Sequence, residues 1–89
     1  MDRYLIESPH TGKTCAQALE TTFAAGYLHN FDWGCEAGVH VGYAIIESEN
    51  ESQALLVVPP NLRSNAKAIM LVKYDRSKLE SLKEQGLLD

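Results

Sequence analysis

An α+β fold is predicted for this 89-residue chain. The expected core is a four-stranded antiparallel sheet in spatial order 4-1-3-2, with both main helices on one face and a further helix at the C-terminus. Three observations predict it. Strand-like and helix-like apolar patterns follow one another in the order β-α-β-β-α-β. Cap and turn residues stand at the boundaries between them. Only the two middle strands are joined by a short glycine turn, so these two form a hairpin and the other connections each carry a helix.

Each element has a local reason. "RYLIE", Arg3 to Glu7, reads as the first strand. Pro9 and Thr11 end it, and Thr11 is placed to cap a helix that runs to about Ala25. Cys15, Ala18, Leu19, Thr22 and Phe23 recur on one face of that helix, and Gly26 stands where a left-handed C′ residue belongs. "YLHNFDWGC", Tyr27 to Cys35, alternates like a second strand, with Tyr27, His29, Phe31, Trp33 and Cys35 on one face. Glu36-Ala37-Gly38 turns the chain, and "VHVGYAIIE", Val39 to Glu47, returns. Ser48-Glu49-Asn50-Glu51 has the S-x-x-E form of a capping box. The helix it opens, through "SQALLVV", stops before Pro59-Pro60. "AKAIMLVKY", Ala66 to Tyr74, is the last strand, and Asp75 or Ser77 caps a final helix ended by Gly86. The order is that of a single ferredoxin-like domain over 1–89, with a core at 3–74 and the C-terminal helix at 76–86. One sheet face is left without helices, and the aromatic and apolar side chains available to it include Trp33, Phe31 and Tyr43 or their strand neighbours.

Bulk properties exclude several classes. The net charge is −4, without a basic block, which argues against nucleic acid as a partner. No apolar run has the length of a membrane span. "MDRYLIESPH" lacks a signal-peptide pattern, which predicts a cytoplasmic protein. In that compartment the two cysteines are expected as reduced thiols rather than a disulfide, and Cys15 reads as a buried thiol rather than a ligand.

"SPHTGKT", Ser8 to Thr14, ends like a phosphate-binding loop. The G-x-x-x-x-G-K-[ST] pattern requires glycine at position 7, and that residue is Glu7. Its carboxylate repels phosphate, and Pro9 removes a backbone donor. Gly12-Lys13-Thr14 is better read as the first turn of a helix.

The same segment points to a different site. With strands one and three antiparallel, His10 at the end of the first lies near His40 at the start of the third. Strand two finishes at that edge with Asp32, Trp33, Cys35 and Glu36. His10, His40 and Cys35, with one or two of these carboxylates, are therefore expected at one end of the sheet, where they suit zinc, nickel or copper. A neutral histidine beside a carboxylate is equally a general base, so His10 and His40 are also the catalytic candidates. Hairpin register decides the detail. A two-residue loop at Ala37-Gly38 pairs Cys35 with His40, and a three-residue loop pairs Cys35 with Val39 and turns His40 to the other face. Both remain open, as does a purely structural role for each residue.

The run "FDWGCEAGVHVGYAIIESENESQALLVVPP" has the pattern aromatic–turn–Gly–His–x–Gly–Tyr–x–x–x–Glu, followed by a capped helix ending at Pro-Pro. With the element order and bare sheet face, it resembles small bacterial and archaeal proteins of the dimeric α/β-barrel superfamily. These include a group related to small nickel-binding proteins and, more distantly, muconolactone isomerases and cofactor-free monooxygenases. The resemblance implies a homodimer closed face to face through the bare sheet, with a small cavity on that face. From the nickel-binding group it implies a histidine site near the hairpin, on His40 and His10. Catalytic residues of the enzymes have no matching positions here.

Three functions follow as expectations. The first is a homodimer that binds a small ligand or a transition metal, nickel or zinc, at the His10/His40 end. The second is a cofactor-independent isomerase or monooxygenase for a small cyclic substrate, with Trp33, Tyr43 and Phe31 lining the cavity. The third is a dimerisation domain with incidental histidines.

Overall fold

The computed structural model describes residues 1–86. Residues 87–89 of the expected domain lie outside the described residues. Four strands form one antiparallel sheet: β1 (Asp2–Pro9), β2 (Asp32–Trp33), β3 (Val41–Ser48) and β4 (Lys67–Leu71). Their order, β2-β3-β1-β4, is the expected 4-1-3-2 read from the other edge. Among the described residues four α-helices accompany them: α1 (Cys15–Ala24), α2 (Glu51–Ala54), α3 (Pro60–Arg63) and α4 (Arg76–Glu84).

The strand-helix order departs from a regular β-α-β-β-α-β. The second helix is broken in two. α2 ends at Ala54, a 3-10 turn covers Leu55–Val57, and α3 restarts with Pro60 in its first turn. Proline has no N–H to give to a preceding turn, but it fits a first helical position. Asn50 caps α2 by accepting from the Gln53 N–H at 2.9 Å. Ser48, expected as the cap, instead donates to the Asn50 carbonyl at 3.1 Å. Asp75 caps α4 as expected, accepting from the Lys78 N–H at 2.8 Å.

β1 pairs with β3 from Asp2↔Ser48 to Pro9↔Val41, and with β4 from Arg3↔Leu71 to Glu7↔Lys67. Strand side chains alternate between faces. Tyr4, Ile6 and Ala44 therefore point to the helices, where they form the core with Phe31, Ala54 and Val58. Leu5, Glu7, Tyr43, Ile45, Lys67 and Ile69 share the opposite, uncovered face. Thr22 and Ala18 are the buried residues of α1. Phe23, expected on its inner face, is 65% exposed.

The largest local difference lies in the second strand. A strand from Tyr27 to Cys35 was the expectation. Leu28–Asn30 instead forms a 3-10 turn, and only Asp32 and Trp33 join the sheet. Tyr27 donates its N–H back to the Thr22 carbonyl at 3.0 Å, wrapping the chain around the end of α1. Helix closure at Gly26, φ +87°, consumes the residues that alternation had assigned to the strand. α4 buries none of its residues. The radius of gyration is 15.9 Å, against about 12 Å for a spherical chain of this length.

Candidate metal centre

The β1–β3 ladder runs one step past Pro9↔Val41. His10 donates its N–H to the His40 carbonyl at 2.9 Å. The two histidines are therefore cross-strand neighbours on the helix-covered face, and their rings lie 5.7 Å apart at 65°.

The chain leaves β1 through His10 and Thr11 into a 3-10 turn at Gly12–Thr14, and Cys15 opens α1 directly after it. The Thr14 hydroxyl accepts from the Thr11 N–H at 3.1 Å and holds this turn. Beyond β2, Cys35 opens a second 3-10 turn, Cys35–Ala37, closed by Gly38. The Val39 N–H donates to the Gly34 carbonyl at 2.9 Å, and the Gly34 N–H to the Val41 carbonyl at 3.1 Å. The β2–β3 register, Asp32↔Tyr43 and Trp33↔Gly42, is the one that would pair Cys35 with His40 if it continued, and the register of a three-residue loop is overturned. Pairing stops at Trp33↔Gly42, and Cys35 faces neither Val39 nor His40 across a ladder. A compact turn folds Cys35 back toward the histidines instead.

The result is a cluster of His10, Cys15, Cys35 and His40. One ligating atom from each lies within 4.8 Å of every other, and all four residues are half-buried. The His10 Nε2 and Cys35 Sγ atoms are 3.1 Å apart. Burial lowers the His10 pKa, helped by the neighbouring His40 and opposed by the Ser8 backbone. Burial likewise pushes the Cys35 thiol up to about 11, with a further contribution from the neighbouring Cys15 thiol. Around neutral pH the metal-free site therefore holds a neutral His10 and a protonated Cys35.

The expected trio of His10, His40 and Cys35 does come together. Cys15, read from the sequence as a plain buried thiol, is the fourth member. Its signal was present as spacing: H-x4-C from His10 to Cys15 is mirrored by C-x4-H from Cys35 to His40. The expected carboxylates are not members. Asp32 pairs with Tyr43 in the ladder and lines the uncovered face beside Leu5 and Ile45, while Glu36 is exposed. His29 is exposed on its 3-10 turn, apart from the cluster.

Trp33 forms one wall. Its ring lies 5.8 Å from that of His10 and 5.6 Å from that of Phe31. A Cβ at Gly42 would come within 2.9 Å of the indole, so this strand position accepts only glycine without repacking. Phe31 is buried in the core and Trp33 packs against it, on the face opposite Tyr43. The three residues expected to line one cavity are thus divided between two faces. Tyr43 lines a shallow cavity of about 230 Å³ with Glu7, Pro9, Val41, Asn65 and Lys67.

The donor set fits a tetrahedral ion. With metal–sulfur bonds near 2.3 Å and metal–nitrogen bonds near 2.0 Å, ligand atoms stand about 3.3–3.8 Å apart. The widest separation here, 4.8 Å, needs a contraction of about 1 Å to reach that geometry. Nδ1 of His10 and Nδ1 of His40 are buried without hydrogen-bond partners, an arrangement that costs free energy unless those rings are engaged in something further.

No protein-family model, curated protein or solved structure matches the chain. Among the described residues no helix is long and apolar enough to cross a membrane. The fold is a small α+β one with a four-stranded antiparallel sheet, compatible with the ferredoxin-like class, and its four clustered residues can hold a metal ion.

Proposed function

We propose that this protein binds one transition-metal ion, zinc in preference to nickel, through His10, Cys15, Cys35 and His40, and that the ion acts as a structural clamp. The observation that carries this reading is the donor set itself: two thiols and two imidazoles from two separated segments, within 4.8 Å of one another. Tetrahedral S2N2 coordination favours zinc, whereas nickel(II) is drawn to planar nitrogen and oxygen sets. Four protein ligands leave no open coordination position, which is the pattern of structural rather than catalytic zinc. The ion would tie the start of α1 to the β2–β3 turn.

Elemental analysis of the purified, untagged chain tests this, repeated after dialysis against zinc and against nickel. About one zinc per chain is expected, lost in Cys15→Ser and in His40→Ala. A folded chain that retains no zinc overturns the reading. The enzymatic alternative has less support, because Trp33 and Tyr43 stand on opposite faces and do not enclose a common cavity.

A second copy of the chain is the proposed cover for the uncovered face, in the manner of the dimeric α/β barrels. Ile45, Leu5 and Ile69 form a continuous apolar row across three strands, with Ile45 61% and Ile69 42% exposed. Such a patch favours burial against a partner. Sedimentation of the full chain should give a dimer, and Ile45→Glu should give a folded monomer. A monomeric wild-type chain at high concentration removes this part of the reading.

A further inference from the structure

We propose that Cys15 and Cys35 are a reversible disulfide pair, closed by a hydroperoxide, whose formation expels the metal from the site. The proposal rests on the metal reading above and assigns its regulation.

Cys15 and Cys35 are the only cysteines in the chain, and both are free and half-buried. Their ligating sulfurs lie within 4.8 Å. Neither residue belongs to the sheet ladder. Cys15 is the first residue of α1, and Cys35 is the first residue of a single 3-10 turn. Each side chain can therefore rotate without breaking strand pairing. Closing an S–S bond of about 2.05 Å requires less than about 3 Å of approach.

The chemistry balances with the hydroperoxide as the only added reagent. One thiolate attacks the peroxide O–O bond and takes its terminal OH, becoming a sulfenic acid, while the remaining alkoxide or hydroxide is protonated by solvent. The second thiolate attacks the sulfenic sulfur, forms the S–S bond and releases hydroxide. The two sulfurs are together oxidised by two electrons, and the peroxide is reduced to water and an alcohol, or to two waters if it is hydrogen peroxide. Both anionic ligands are then consumed, and two neutral imidazoles remain for the ion. A dithiol reverses the step by exchange.

The geometry also sets what the fold does during the change. The disulfide joins the same two segments that the ion joins, so one cross-link replaces another. The oxidised chain is expected to stay folded while the metal leaves.

The test uses the zinc-loaded full chain treated with hydrogen peroxide. Released zinc is followed with a chromogenic chelator, and the product by intact mass and non-reducing peptide mapping. The expected result is release of about one zinc per chain, with a mass loss of about 2 Da and a peptide joining Cys15 to Cys35. Dithiothreitol followed by zinc should restore the starting state, and circular dichroism should keep its folded signature throughout. Zinc that stays bound under peroxide overturns the proposal. So does zinc released with sulfinic acids or with chain-to-chain disulfides in place of the internal bond. Both of those outcomes leave the metal reading standing, whereas a chain that takes up no zinc before oxidation removes that reading and this proposal with it.

Discussion

Two corners of the molecule handle buried polar groups in opposite ways. Where the chain breaks between α2 and α3, Arg63 closes the gap. Its Nε donates to the Val58 carbonyl at 3.1 Å and the Leu55 carbonyl at 3.2 Å, and its Nη2 to Val58 at 2.8 Å. Carbonyls freed by the end of one helical turn are thereby satisfied by the chain itself. At the other corner His10, Cys15, Cys35 and His40 gather ligating atoms within 4.8 Å. There Nδ1 of both histidines, Trp33 Nε1 and Ser8 Oγ are buried without partners. Burying unpaired polar atoms costs free energy. One corner is built for stability by its own residues, and the other spends stability to hold a donor set.

The sharpest way to break this contrast is to add zinc and follow thermal unfolding. A ligand that binds only the folded state at about a thousandfold over its Kd contributes about 4 kcal/mol. In a domain this small that raises Tm by about 20 °C. Cys15→Ser and His40→Ala should abolish the increment. If either variant keeps it, the donor set is assigned wrongly.

Arg63→Ala probes the other corner. Loss of charge-assisted hydrogen bonds should cost about 2 kcal/mol and lower Tm by about 10 °C, with and without zinc alike. A variant whose zinc increment also collapses would show the corners to be coupled. They would then no longer be two independent solutions.

A smaller effect should appear in the pH dependence of the metal-free chain, read by urea unfolding. The folded state lowers the His10 pKa below its ordinary 6.5. Its contribution is therefore complete above pH 6.5 and is lost as pH falls through the folded value. Cys35 acts at the other limb, because the folded state raises its thiol from 9.0 to about 11. That contribution is complete below pH 9.0 and is lost as pH rises through about 11. His10→Gln should flatten the acid limb and Cys35→Ser the alkaline one. Limbs unchanged in these variants would assign them to other groups.

The mildest probe is Gly12→Ala. A Cβ there would lie 3.1 Å from His40 Nε2, so the imidazole must shift by a few tenths of an ångström. Zinc affinity measured by competition with a chelator should fall about tenfold, while Tm of the metal-free chain changes little. An equal loss in metal-free stability would mean that Gly12 serves the turn rather than the ligand.

Much of this was legible in the residues. Alternation in "RYLIE" and "VHVGYAIIE" marks the two central strands, because a strand with one buried face must alternate. Asp75 before α4 and Gly26 after α1 mark helix ends for reasons confined to a few neighbouring atoms. The meeting of His10 with His40 follows from antiparallel pairing alone. It is a consequence of topology, and topology follows from the order of the elements.

Other features depend on which bonds form, some within a few residues and one across the fold. Tyr27 to Asn30 alternate like a strand, yet the backbone bond from Tyr27 to Thr22 draws them into the end of α1. Ser48 and Asn50 are both good caps in isolation, and only the bond to Gln53 selects Asn50. The hairpin keeps the register of a two-residue loop, yet its connection is a 3-10 turn that carries Cys35 out of the ladder, and alternation alone could choose neither the register nor the turn. Cys15 entered the site for the same reason. A thiol at the start of a helix is an ordinary buried thiol until a turn of the chain, 20 residues further on, places a second thiol against it. Periodicity reports which face a side chain occupies. It contains no term for two irregular turns meeting in space, and that meeting is what makes the site.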